Sequence, residues 1–116
     1  MDIVRQDGIL VIKPRGQVCE YNLTAYSELL KLMEEVARAN AGPELAVIAD
    51  LSDVTFMNST GLSQLVQIYI GTHNRGGRFV LCGVPARVKL LLKITRLDLV
   101  LTSFDTLLEA LQALVK

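Results

Sequence analysis

A chain of 116 residues has room for one domain, and its 51% hydrophobic content suffices for a core of that size. Twelve Lys and Arg residues balance twelve Asp and Glu, so no overall field draws the chain to nucleic acid or to an anionic membrane, and neither is an expected partner. The opening Met-Asp-Ile-Val-Arg-Gln-Asp-Gly lacks a signal-peptide core, and no uncharged run is long enough to span a bilayer, which makes the cytoplasm the expected location.

In chain order, Ile3–Arg5 and Ile9–Lys13 are apolar stretches around Asp7-Gly8, a favoured turn pair, and predict an antiparallel hairpin. Pro14 and Gly16 stop the second strand, and a loop from Gln17 to Tyr21 leads to Asn22 or Thr24 as cap of a first helix. Tyr26, Leu29, Leu30, Met33, Val36 and Ala37 share its inner face, Glu28, Lys31, Glu35 and Arg38 face water, and Gly42-Pro43 ends it. Leu45–Ala49 is apolar without alternation, as expected of a strand buried on both faces, with Asp50 at its carboxyl end. The chain then reads as a loop through Val54, Phe56 and Met57 to Asn58, Ser59 and Thr60. Leu62, Leu65, Val66, Tyr69 and His73 recur at helical spacing and predict a second helix that closes near Arg75-Gly76-Gly77.

Phe79–Cys82 predicts another buried strand. Gly83-Val84-Pro85 turns the chain into a third helix, with Pro85 near its first position and Val88, Leu91 and Leu92 inside. Arg87, Lys89 and Lys93 stay outside and read as a solvated face. Leu99–Leu101 is expected as the last strand. Thr102 or Ser103 would cap a final helix with Asp105 in its first turn and Phe104, Leu107, Leu108, Leu111 and Val115 inward. A hairpin followed by alternating strands and helices predicts a single α/β domain over residues 1–116. Its sheet is mixed and mainly parallel, covered by about four helices.

Little of this sequence suggests catalysis. A hydrolase needs a nucleophile, a base and an orienting group, whereas the one histidine, His73, is expected at a core-facing or helix-end position. Phosphate-loop and dinucleotide-turn motifs are missing, so no enzyme activity, metal or cofactor is expected. Cys82 reads as a small buried hydrophobe and Cys19 as a loop residue, without a disulfide between them. Asp50 and Asp53 invite comparison with a magnesium-dependent receiver, but an acidic pair after the first strand and a lysine after the last are lacking. They are read instead as polar groups of the strand-end loop, Asp53 orienting the backbone ahead of Ser59.

Ser59 falls at or near a helix N-terminus, where unpaired N–H groups and the helix dipole favour negative charge. Two readings stay open on the residues alone: Asn58 and Ser59 simply cap the helix, or the Ser59 hydroxyl carries a phosphate.

The stretch Asp-Leu-Ser-Asp-Val-Thr-Phe-Met-Asn-Ser-Thr-Gly-Leu, residues 50–62, closely resembles the signature of STAS domains, the sulfate-transporter and anti-sigma-factor-antagonist family. In that family Phe-Met-Asp-Ser-Ser-Gly-Leu surrounds a phosphorylatable serine, so the resemblance implies Ser59 as acceptor and Asp50, Asp53, Asn58, Thr60 and Gly61 as its switch loop. The order of elements is similar over nearly the whole chain. What the resemblance implies is a non-catalytic anti-sigma factor antagonist that binds an anti-sigma serine kinase, leaves it on phosphorylation and is reset by a serine phosphatase. The alternative within the family is an unphosphorylated scaffold, or an accessory module for small-ligand or lipid transport. Two departures stand out: Asn58 replaces the aspartate before the acceptor, and near Cys19 only Glu20 is acidic. On the helix after Ser59, the strip Gln64, Ile68, Gly71 and Arg75 lies off the Leu62, Val66, Tyr69 stripe and is the expected partner-facing surface.

Overall fold

A computed structural model describes residues 2–6, 9–18, 31 and 45–114. In order, they form β1 (Asp2–Gln6), β2 (Ile9–Lys13), β3 (Gly16–Val18), β4 (Ala46–Asp50), β5 (Val54–Met57), α1 (Ser59–Asn74), β6 (Arg78–Cys82), α2 (Ala86–Ile94), a 3-10 turn at Leu97–Leu99, β7 (Thr102–Phe104) and α3 (Leu107–Leu114). β1 pairs antiparallel with β2, with Ile3 opposite Ile12 and Val4 opposite Val11, so the expected hairpin forms. The five-stranded sheet runs β1-β2-β4-β6-β7, and every pair after the first is parallel. The expected first helix lies outside the described residues except Lys31, which is helical and exposed; Cys19 and Glu20 also lie outside them.

Strand alternation divides the core in two. Leu10, Ile12, Val47, Ala49, Phe79 and Leu81 pack with Leu62, Leu65 and Ile68 of α1 and Val88 and Leu92 of α2. Val11, Ile48, Val80 and Cys82 pack on the opposite face with Ala110, Leu107 and Leu111 of α3. Helices therefore cover both faces, and every residue of β4 is buried, which is why its sequence shows no polar alternation. Each fully buried Val, Leu or Ile in such a strand contributes about 1.5–3 kcal/mol relative to exposure.

Three expectations need correction. Gly16–Val18 and Val54–Met57 are strands, not loops: β3 pairs in parallel with β5, and the two form a separate small sheet. With a register shift between Gly16 and Gln17, and with buried residues only at the two ends of β5, neither strand carries a readable period. The last strand is Thr102–Phe104 and not Leu99–Leu101, because Arg96 adopts a left-handed conformation (φ 63°) and Leu97–Leu99 coil into a 3-10 turn. The N–H groups of Val100 and Leu101 then donate to the Leu97 carbonyl at 3.0 and 2.8 Å instead of to a neighbouring strand. Finally, Thr106 and not Thr102 or Ser103 caps the last helix, its Oγ1 accepting from Glu109 N at 3.2 Å, and Leu108 is 64% exposed and not inward.

Candidate functional site

The signature stretch consists of a held base and an open tip. At the base, Asp50 ends β4 beside Cys82 of β6 and is only 7% exposed. Its Oδ1 accepts from Ser52 N at 3.1 Å and from Ser52 Oγ at 2.7 Å, so the carboxylate folds the following turn onto itself. Lys13, ending the adjacent strand β2, places Nζ 3.9 Å from Asp50 Oδ2 and 3.6 Å from Asp53 Oδ2. This ammonium offsets the two nearby negative charges; its half-exposed side chain keeps the contribution to stability at about 0–1 kcal/mol. Backbone bonds fix the rest of the turn. Leu51 N donates to Cys82 O at 2.9 Å, Val54 N to Leu51 O at 3.0 Å and Gly16 N to Asp53 O at 2.9 Å. The Asp53 carbonyl thus ties the entry to β5 to the start of β3, while its carboxylate faces Lys13.

Gly83 faces this base with φ +60°, and a Cβ there would stand 3.0 Å from Ser52 Cβ and 3.2 Å from Asp50 Oδ1. Both the conformation and the close approach call for glycine. Burial, reinforced by the Asp50 carboxylate and opposed by Lys13, pushes the Cys82 thiol up to about 11. The thiol is therefore protonated at neutral pH and acts as a packed apolar group, as its sequence context suggests.

The tip begins after Met57, whose side chain is buried, while Phe56 before it is 44% exposed. Asn58 is the helix cap: its Oδ1 accepts from Gly61 N at 3.0 Å and its carbonyl from Leu62 N at 2.9 Å. Ser59 and Thr60 are the first two helical residues and both are exposed, whereas Gly61 and Leu62 are buried behind them. Capping is thus done by Asn58, and the Ser59 hydroxyl stands at the open start of the helix. The far end closes as a Schellman turn, with Gly76 at φ +76° donating to His73 O at 3.0 Å and Gly77 N to Thr72 O at 2.9 Å.

The partner strip expected from the sequence is not one surface. Ile68 is 4% exposed and belongs to the core, because the inward face of α1 is Gly61, Leu62, Leu65, Ile68 and Thr72. Gln64, Gly71 and Arg75 are half-buried, and Arg75 Nη1 donates to Gly71 O at 2.9 Å. Val66 and Tyr69 lie on the flank of the inward face, and exposed His73 in the last helical turn stacks on Tyr69 with ring centroids 6.0 Å apart. Sequence reasoning missed two contributors to the site, Lys13 and Gly83, and the burial of Thr72 at the far end of α1. Lys13 and Asp50 meet because β2 and β4 pair in parallel with Ile12 opposite Ala49, a register that strand order would have revealed. Gly83 carries only the weak signal of a lone glycine after a strand. Thr72 sits fully buried because its hydroxyl donates to Ile68 O at 2.7 Å, an i−4 bond that hydropathy patterning does not show.

Among the described residues, no group of three or more His, Cys, Asp or Glu side chains could hold a metal ion. No described helix is long and apolar enough to cross a membrane. The STAS domain family model matches the chain over residues 1–110. A Thermotoga neapolitana protein named as an anti-sigma factor antagonist is 36% identical over 66 residues, a stretch that spans 57% of this chain and 58% of the relative's length. A similarly named Thermotoga maritima protein has a crystal structure that superposes with a TM-score of 0.76 over 99% of this chain and 94% of its own, at 22% identity. An anti-sigma factor antagonist from Mycobacterium paratuberculosis superposes with a TM-score of 0.64 over 98% and 92% of the two chains, at 27% identity.

Proposed function

Because the chain belongs to the STAS domain family, we propose that it is an anti-sigma factor antagonist that acts in the cytoplasm as a non-catalytic phosphoswitch. It binds an anti-sigma serine kinase, is released when Ser59 is phosphorylated, and is restored by a serine phosphatase. The observation that carries this reading is the division of labour at the helix start: Asn58 caps, and Ser59 is exposed in the first turn. A hydroxyl so placed is open to a kinase, and a phosphate on it meets the unpaired N–H groups and the positive end of the α1 dipole. The modified domain therefore stays folded. Asn58 adds to this tolerance, since its amide does not repel a neighbouring dianion as a carboxylate would.

The test is direct. Incubating the protein with the anti-sigma serine kinase encoded by its own genome and ATP, followed by site mapping by mass spectrometry, should place one phosphate on Ser59 and none on Thr60 or Ser63. Modification that persists in Ser59→Ala would overturn the assignment.

A further inference from the structure

The outer side of α2 is apolar where a surface helix is ordinarily polar. Val88 and Leu92 are buried in the core, yet Leu90 and Ile94 are 59% and 70% exposed. At about 100° of rotation per residue, Leu90 stands opposite the Val88 and Leu92 stripe, with Ile94 one turn further along the same side. Arg87 falls about 60° to one side of Leu90 and Lys93 about 60° to the other, with Lys89 beyond Lys93. These three cations are exposed, as is Arg96 just past the helix, and Asp98 is the one acidic residue in 86–100. On the Arg87 flank the exposed Phe56 of β5 lines a cavity with Leu90 and Ile94 and extends the apolar surface. The even balance of charge over the whole chain thus conceals a face of one sign, with an apolar crest along its middle.

We propose that this outer face of α2 is a docking surface for an anionic lipid bilayer, with Leu90 and Ile94 entering the headgroup layer while Arg87, Lys89 and Lys93 meet lipid phosphates on either side. The shape selects a broad, yielding surface, because the two apolar side chains crown a convex helix. Long basic stems beside such a crest extend sideways, which keeps their charges at phosphate level as the crest is immersed. Two inserted side chains are few, so charge supplies most of the attraction, at about fivefold in affinity per basic residue near an anionic surface. Attachment of this kind is reversible and salt-sensitive, and it spans nothing. It does not depend on Ser59: the lipid-facing residues belong to α2 and the switch to the start of α1.

The probes are vesicles of phosphatidylcholine alone and of phosphatidylcholine mixed with phosphatidylglycerol, sedimented at low and high salt with wild type, Leu90→Gln/Ile94→Gln, Lys89→Glu/Lys93→Glu and Leu108→Ser. All of these positions are exposed, so thermal midpoints should show every variant folded. Wild type should sediment with the anionic vesicles at low salt, lose most of that binding at high salt and stay in solution with the neutral ones. The apolar pair should bind about tenfold more weakly, and the charge-reversed pair about a hundredfold or more. Leu108→Ser, an equally apolar exposed position on α3, should match wild type. Failure of wild type to sediment with anionic vesicles at low salt would overturn the proposal, as would equal sedimentation with neutral ones. An apolar pair that binds like wild type would mean attraction by charge alone, as to a soluble acidic partner, and would overturn it too. Loss of self-association in the apolar pair with vesicle binding intact would reassign the face to a second copy of the chain and likewise overturn it.

Discussion

Asp50 and Ser59 stand at opposite ends of one short connection and are held in opposite ways. Asp50 itself is buried, its carboxylate is hydrogen-bonded to the turn that follows, and Gly83 after β6 and Lys13 of β2 stand beside it. Around Ser59 the backbone is held by the Asn58 cap, and the Ser59 and Thr60 side chains are exposed. The difference shows how a small domain keeps an exposed hydroxyl in register without burying it: the base sets the position and the tip remains accessible. On the switch proposed for Ser59, a charge added at the tip should change what docks there and leave the sheet alone.

Substitutions should separate the two ends by magnitude. Leu51, fully buried at the base, should cost about 2–5 kcal/mol as Leu51→Ala, read as a lowered denaturant midpoint with unchanged slope. Gly83→Ala combines positive φ with a tight approach to Ser52 and Asp50, and should cost about 1–3 kcal/mol by thermal unfolding. At the tip, Asn58→Ala should cost only about 1 kcal/mol, and Asn58→Asp should leave stability near wild type because both residues cap well. A loss for Asn58→Ala as large as that for Leu51→Ala would break the distinction.

The smallest effect at neutral pH comes from Cys82. Its thiol is pushed from 9.0 to about 11 in the folded chain, so between those values the unfolded chain gives up a proton that the folded chain retains. This group's contribution to stability should be flat below about pH 9 and should fall as pH rises toward 11. Denaturant titrations of wild type and Cys82→Ala across that range check the sign, since the decline should be shallower in the variant.

Much of the sheet was legible because burial leaves a strong mark on composition. Leu45–Ala49 and Phe79–Cys82 are apolar throughout, and both form central parallel strands to within a residue of their expected bounds. The weaker elements depend on pairing and not on pattern. β3 and β5 exist through each other, and β7 exists because Thr102–Phe104 match Val80–Cys82 in register. Thr106 as a cap was within reach, since Thr106-Leu-Leu-Glu109 has the spacing of a capping box. Ser59 at a helix start was legible, but its separation from the capping role was not, because asparagine and serine cap almost equally well. Ile68 was misjudged by rotation of the helix: one step in angular phase moves an isoleucine from flank to core, and only packing against β6 fixes that phase.

The claim that phosphate acts locally at the tip is tested most directly by comparing Ser59→Asp with Ser59→Ala, with kinase affinity and backbone amide chemical shifts measured on the same samples. A penalty of about 3 kcal/mol corresponds to roughly a hundredfold in affinity, enough to operate the switch without refolding. A local switch predicts weak binding for Ser59→Asp, near wild-type binding for Ser59→Ala, and shift changes confined to residues around Met57 to Leu65. Equal affinities for the two variants, or shift changes spread across β4, β6 and α3, would contradict it.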